Sequence, residues 1–128
     1  MKKIVFLLFC FSCFFAKSQA DSIISEKGIA SYYAKKFEGR RCSSGEVFRH
    51  DSLTAAHKCL KYGTLVKVHN TKNDSVIIVR INDRLPKSSK RCIDLTRKGA
   101  KQLNFILQGL TPVTLTVLND SLSCLKKP

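Results

Sequence analysis

Thr64-Leu65-Val66-Lys67-Val68-His69, then Asn70-Thr71-Lys72-Asn73-Asp74, then Ser75-Val76-Ile77-Ile78-Val79-Arg80-Ile81-Asn82: two runs rich in β-branched residues flank a polar cluster, and together they predict a β-hairpin. Working outward, Val113-Thr114-Leu115-Thr116-Val117 alternates apolar and hydroxyl residues, the period of a strand with one buried face. Gly28 to Ala34 is aromatic-rich, opens at a glycine and reads as a further strand. A single helix is predicted at about Thr96 to Asn104, capped by Asp94 or Thr96, with Leu95, Ala100 and Leu103 as its apolar side. Gly99 inside it costs about 1 kcal/mol of propensity. Short strands, one brief helix, long polar loops and no βαβ alternation make the chain mainly β and predict a small closed barrel.

The two ends lie outside this pattern. Lys2 and Lys3 precede an apolar run from Ile4 to Ala16, and Ser18-Gln19-Ala20 supplies small residues for cleavage. That is a secretory signal peptide, too short and wrongly flanked to span a membrane. Cys10 and Cys13 lie in the run, but bulky Phe9 and the short apolar stretch either cut would leave argue against lipid attachment. Cleavage near Ala20 would export the chain to the periplasm or beyond, with 21–27 as a short lead, 28–118 as the barrel and 119–128 as a polar tail. Removing Lys2, Lys3 and Lys17 leaves twenty basic and nine acidic residues, a net charge of +11. Such a surface gathers at polyanions. The cations are scattered rather than stacked on one helix, and an exported protein meets wall glycopolymers first, so nucleic acid is not the expected partner.

Four cysteines remain after processing, Cys42, Cys59, Cys92 and Cys124, an even count that reads as two disulfides in an exported chain. Each would stabilise by roughly 3–4 kcal/mol in the chain-entropy picture. There is no Cys-x-x-Cys pair, so no metal site is expected.

Three residues stand in turn-rich sequence with no packing reason to be polar: Glu46, His57 and Asp83. Two carboxyls and an imidazole are the material of general acid/base chemistry on a polar substrate. His57, in a segment with neither strand nor helix periodicity, either bonds a loop or serves that chemistry. Asp83 either pairs with Arg84 in a turn, or sits desolvated at a barrel rim with a raised pKa that lets it hold a proton. Glu46 alone reads as a solvated surface acid, and Asp94 as a helix N-cap. Tyr32 and Tyr33 alternate across a strand, so one faces out, able to stack on a sugar ring, and the other packs inward. His50 and His69 carry no expected role.

Seven blocks in register carry a resemblance. They are Gly28–Ala34, Gly39-Arg40-Arg41, Ser44–Phe48, Leu53–His57, Tyr62–Val66, Val79–Pro86 and Arg91-Cys92-Ile93-Asp94-Leu95-Thr96, and together they resemble the RlpA family. The resemblance implies a six-stranded double-psi β-barrel, related to expansin and barwin-like domains, that acts as a lytic transglycosylase on peptidoglycan, with a preference for peptide-stripped glycan strands. It places the family's functional acid, histidine and aspartate on Glu46, His57 and Asp83, with Asp83 as acid/base, Glu46 assisting and His57 positioning; the last two assignments are interchangeable. Tyr32, Tyr33, Asn82 and Arg84 are the implied substrate contacts, with no cofactor, and the chain is expected to act as a monomer. Related barrels imply the pairing Cys42–Cys92 with Cys59–Cys124. Leu85 departs from the family's glycine in Asp-Arg-Gly-Pro and is expected to reshape the loop beside Asp83, since leucine does not take a positive φ cheaply. A C-terminal repeat domain for denuded glycan has no counterpart among these residues. The competing reading is an expansin-like module that binds wall glycan without cutting it; a secreted inhibitor on the same barrel is a third.

Overall fold

The expected hairpin is β3 (Leu65–Asn70) against β4 (Val76–Arg84), antiparallel from Leu65↔Arg80 to His69↔Val76 in the computed structural model, which describes residues 24–119. Each strand buries alternate residues, Val66 and Val68 against Ile77 and Val79, all at most 6% exposed. The polar cluster makes the turn, with Asp74 in the left-handed region and its amide bonded to the Asn70 carbonyl.

Four more strands complete a closed barrel: β1 (Ser25–Tyr32), β2 (Thr54–His57), β5 (Ile93–Leu95) and β6 (Thr111–Val117). The order around it is β1-β5-β2-β4-β3-β6, with β6 returning to β1, so the described residues leave no free sheet edge. Two of the six pairings, β1–β5 and β2–β4, are parallel. The interior is filled by Ala30, Ala55, Leu60, Ile81, Ile93, Leu95, Val113 and Leu115, capped at one end by Leu103 and Phe105. This is the mainly β, six-stranded barrel with one short helix that the sequence predicts.

Several elements differ from expectation. The first strand begins at Ser25, inside the expected lead, because residues 25–30 pair with Thr111–Thr116. Thr54–His57 is a strand, and it lacks alternation because all four residues are buried. A central strand covered on both faces has no polar side to show. The helix α1 is only Arg97–Gln102, capped by the Thr96 hydroxyl, which accepts from the Gly99 amide. Asp94 is no cap; it lies in β5. A side chain at Gly99 would press on Ile77 and Leu95 at 3.3 Å, so the glycine lets the helix approach the barrel. Cys42 and Cys92 are buried free thiols rather than a disulfide. Cys92 sits against Gly28, whereas Cys42 lies in the loop beside Asp83. Cys59 is disulfide-bonded, and its expected partner Cys124 lies outside the described residues, as do the expected signal peptide and residues 120–128 of the expected tail.

One buried side chain ties three elements together. Asn70, 1% exposed, donates Nδ2 to the Leu103 carbonyl at 2.7 Å, and its Oδ1 accepts from the Thr111 hydroxyl at 2.8 Å and the Lys72 amide at 3.1 Å. It thus joins the hairpin turn, the segment after α1 and the start of β6. Replacing it strands buried partners, which costs about 1–3 kcal/mol for each group left unpaired. Asn70→Leu is expected to lower unfolding stability by about 2–4 kcal/mol at unchanged denaturant slope. A loss below about 1 kcal/mol would show that the knot is not a structural tie.

Candidate active site

The site starts from an irregularity in the parallel pair β2–β4. Ala55 is opposite Ile81 but Ala56 is opposite Asp83, so Asn82 is an extra residue in the ladder. Such a bulge bends a strand and re-aims its side chains. Ile81 stays in the core, while Asn82 and Asp83 both reach out to the same loop, Cys42–Glu46.

That loop is a tight turn. Arg41 bridges Val47, the Cys42 amide bonds the Glu46 carbonyl at 2.7 Å, and Gly45 turns the chain at φ +91°. Ser43 is thereby presented to Asp83, giving both its amide and its hydroxyl to Oδ1 at 2.8 Å. Tyr33 gives its hydroxyl to Oδ2 at 2.5 Å, and the Arg84 amide adds a bond to Oδ1 at 2.9 Å. The Tyr33 ring is fixed by stacking on Phe48 at 4.3 Å and by an edge contact with Phe37 at 5.6 Å. Glu46 accepts from Arg80 at 2.8 Å and from Asn82 at 2.9 Å.

These contacts set the charges. Burial alone would raise the Asp83 carboxyl, but the donors Tyr33, Ser43 and Arg84 outweigh it and hold the group below the usual carboxylate range. The expected proton-holding, raised-pKa aspartate is therefore corrected: Asp83 stands ionised. Hydrogen bonds from Arg80 and Asn82 likewise depress Glu46. Burial, then the hydrogen bond to Asp83, pushes the Tyr33 phenol well above its ordinary value, so it remains a donor. The Cys42 thiol, buried beside the Asp83 and Glu46 charges, is pushed up to about 11 and stays protonated.

A second carboxylate shares this face. Ser31 pairs with Asp94, Asp94 with Ala56, and Ala56 with Asp83, a single row across β1, β5, β2 and β4. Residues paired in this way project to one side of a sheet, and two strand spacings put Asp94 and Asp83 about 10 Å apart at Cα. Ala56, itself buried, stands between them in the row. Asp94 accepts a short hydrogen bond from Ser31 and pairs with Arg91 through two nitrogens at 3.0 and 3.1 Å. Sequence reasoning missed it because a polar residue before a helix reads as a cap; an isolated acid between Ile93 and Leu95 was the available signal.

The remaining expected residues divide. Tyr33 and Asn82 are in the site. Tyr32 is not: its ring packs edge-on to Phe105 and its hydroxyl bonds the Ile106 carbonyl. Arg84 turns away to lie over the Tyr62 ring at 4.3 Å. His57, 1% exposed, touches neither Glu46 nor Asp83 through its ring. Its Nδ1 accepts from the Cys59 and Leu60 amides, which leaves the ring proton on Nε2, 3.1 Å from Glu26. Its carbonyl accepts from the Leu85 amide, so it supports the loop after Asp83 through the backbone. Leu85 fits that loop without a positive φ and is buried at 5%. Among the described residues no cluster of three or more His, Cys, Asp or Glu is placed to hold a metal, and no helix is long and apolar enough to cross a membrane.

A family model described as lytic transglycolase matches residues 25–115, from the first residue of β1 to the middle of β6. The chain belongs to that family. It is 44% identical over 102 residues to the endolytic peptidoglycan transglycosylase RlpA of Haemophilus influenzae, covering 80% of this chain and 35% of that protein. It is also 44% identical over 91 residues to the RlpA of Campylobacter jejuni, covering 71% and 33%. The chain thus spans about a third of the length of these curated relatives. Among solved structures it resembles a Streptomyces papain inhibitor, with TM-score 0.60 at 19% identity over 74% of this chain and 94% of that one. It also resembles a Clavibacter michiganensis expansin solved with cellohexaose, with TM-score 0.61 at 15% identity over 81% and 53%. At such identities the two share the barrel with this family member and nothing more is carried over.

Removing the phenol hydroxyl in Tyr33→Phe is expected to raise the Asp83 pKa, read from its carboxyl carbon shift during an NMR titration. Because the folded Asp83 pKa lies below the unfolded value of about 3.9, its contribution to stability is complete above that value. It is lost as pH falls through the folded pKa. In Tyr33→Phe that contribution shrinks, and its loss, which still begins near the unfolded value, is complete at a higher pH. An unmoved Asp83 titration would contradict the account of its depressed pKa.

Proposed function

We propose that the protein is an exported peptidoglycan lytic transglycosylase that cuts between N-acetylmuramic acid and N-acetylglucosamine and leaves a 1,6-anhydro end. The observation that carries this reading is Asp83, an ionised carboxylate held by four donors at the bulge, on a face shared with Asp94, in a chain of the lytic transglycolase family.

The chemistry needs no water. The C6 oxygen of the muramyl residue bonds to its own anomeric carbon, the bond from that carbon to the departing C4 oxygen breaks, and the C6 hydroxyl proton ends on that oxygen. A single carboxylate that starts ionised can take the first proton and deliver it to the leaving group, and it is regenerated in the process. Asp83 is assigned this shuttle. Tyr33, Ser43 and the Arg84 amide hold it in place, so little reorganisation accompanies the transfer. Asp94 faces the sugar from across Ala56, where its negative charge favours the oxocarbenium-like carbon. Glu46, tied to Arg80 and Asn82, fixes the loop that carries Ser43 and lines the groove. Export is supported by the leader pattern of residues 1–20 and by the relatives' peptidoglycan substrate.

Full pairing of all three carboxylates is also what a non-cleaving glycan groove would show, so product analysis separates the two readings. With peptide-free glycan strands, wild type is expected to accumulate 1,6-anhydromuramic ends by mass spectrometry. Asp83→Asn should lower that rate by about 10²–10⁴-fold at unchanged strand affinity, and Glu46→Gln should cost less. An equally deep loss in Asp94→Asn with an active Asp83→Asn would move the shuttle to Asp94. New reducing ends would make the reaction a hydrolysis, and binding without any new ends would leave a glycan-binding module.

A further inference from the structure

Beyond the groove, the geometry points to a second, cationic subsite at α1 that takes the carboxylates of the muramyl lactyl ethers along the same glycan strand, an inference that rests on the proposed substrate. A cleft of about 610 Å³ is lined by His50, Asp51, Arg97, Lys98, Lys101 and Gln102. Lys101 also lines a neighbouring cleft of about 370 Å³ with Asn104, Ile106, Leu107 and Gln108. The six residues of α1 include three cations and no acid, and of the lining groups only Asp51 opposes them.

Three observations separate this cleft from an ordinary solvated basic face. Arg97 is held rather than free: its guanidinium lies over the Tyr32 ring at 5.3 Å, and its buried Nε has no partner among the described residues. That Nε is out of a ligand's reach, and it is the remainder of the Arg97 side chain, held over Tyr32, that lines the cleft. His50 is fully engaged, its Nε2 bonding the Ala34 carbonyl at 3.1 Å and its Nδ1 accepting from the Arg97 amide at 3.3 Å, so it forms a fixed wall. That wall is continuous with the catalytic groove. His50 meets Phe48 edge-on at 4.7 Å, Phe48 stacks on Tyr33 at 4.3 Å, and Tyr33 bonds Asp83. Phe48 is buried, so this chain of ring contacts holds the wall of the cleft in a fixed position relative to Asp83 from within. Leu107, 97% exposed at the far edge, offers apolar surface for sugar faces.

Three cations near the groove are already committed. Arg80 is committed to Glu46, Arg91 to Asp94, and Arg84 lies on Tyr62. A glycan strand stripped of stem peptides carries one lactyl carboxylate per disaccharide, so Arg97, Lys98 and Lys101 match a repeating anion on the strand.

The test uses strand binding by an Asp83→Asn protein, compared with the same protein carrying Lys98→Gln and Lys101→Gln, both exposed positions that leave Arg97 and the fold intact. Peptide-free strands are offered as they are and with lactyl carboxyls reduced to alcohols. Removing two exposed ion pairs is expected to weaken binding of native strands roughly three- to tenfold and to flatten its salt dependence. Reduced strands should bind both proteins equally. Equal binding of native strands by both proteins overturns the inference. So does loss of inorganic polyphosphate binding with strand binding unchanged, which would give the cleft to a phosphate polymer. Because the readout is affinity, the result stands whether or not wild type forms anhydro ends.

Discussion

The extra residue in β4 is the constraint on which the site depends. Parallel pairs seldom carry bulges, yet here the ladder must slip by one between Ala55 and Ala56 for Asn82 and Asp83 to reach one loop. Without the slip, alternation after Ile81 would send Asn82 outward and Asp83 into the barrel, where an unpaired carboxylate is not tolerated. The bulge is in turn supported from both sides. Behind it stand Ala55 and Ile81 in the core, and beyond it the His57 carbonyl takes the Leu85 amide. In front, Ser43 and Tyr33 are brought to Asp83 by the Gly45 turn and the Phe48 stack.

In this arrangement His57 supports the loop after Asp83 while its ring contacts neither Glu46 nor Asp83. Its ring is buried and spent on Glu26 and two backbone amides, which locks the end of β2. The sequence interval from His57 to Asp83 is therefore a record of strand pairing: His57 lies opposite Arg84 in the parallel ladder. What resembles a catalytic spacing is in part a register.

The hairpin, the last strand and the helix were legible because each has one wet face, so Val66, Val68, Val113 and Leu115 alternate with polar residues. Strand β2 was not, since it is short and covered on both sides, and β5 was not, since it is only three residues long. Asp94 stayed hidden because its place depends on a row formed by four strands distant in sequence. Glu46 and Asp83 could be singled out as polar residues in turns, but not their ionisation, which is set by donors from Ser43, Tyr33, Arg80 and Asn82 that only the fold assembles. The cysteine count suggested two bridges, yet Cys42, beside Asp83, and Cys92, against Gly28, are free thiols.

The barrel itself does not decide the activity, as its likeness to both a papain inhibitor and an expansin makes plain. The proposed activity rests on Asp83 beginning the reaction as a carboxylate. The direct measurement is the pH dependence of kcat/KM on peptide-free glycan strands. An ionised Asp83 predicts a plateau through neutral pH, with a fall only on the acid side as Asp83 takes a proton. Activity that instead declines as pH rises from acid to neutral would require a protonated acid at the start, and would contradict the ionised shuttle.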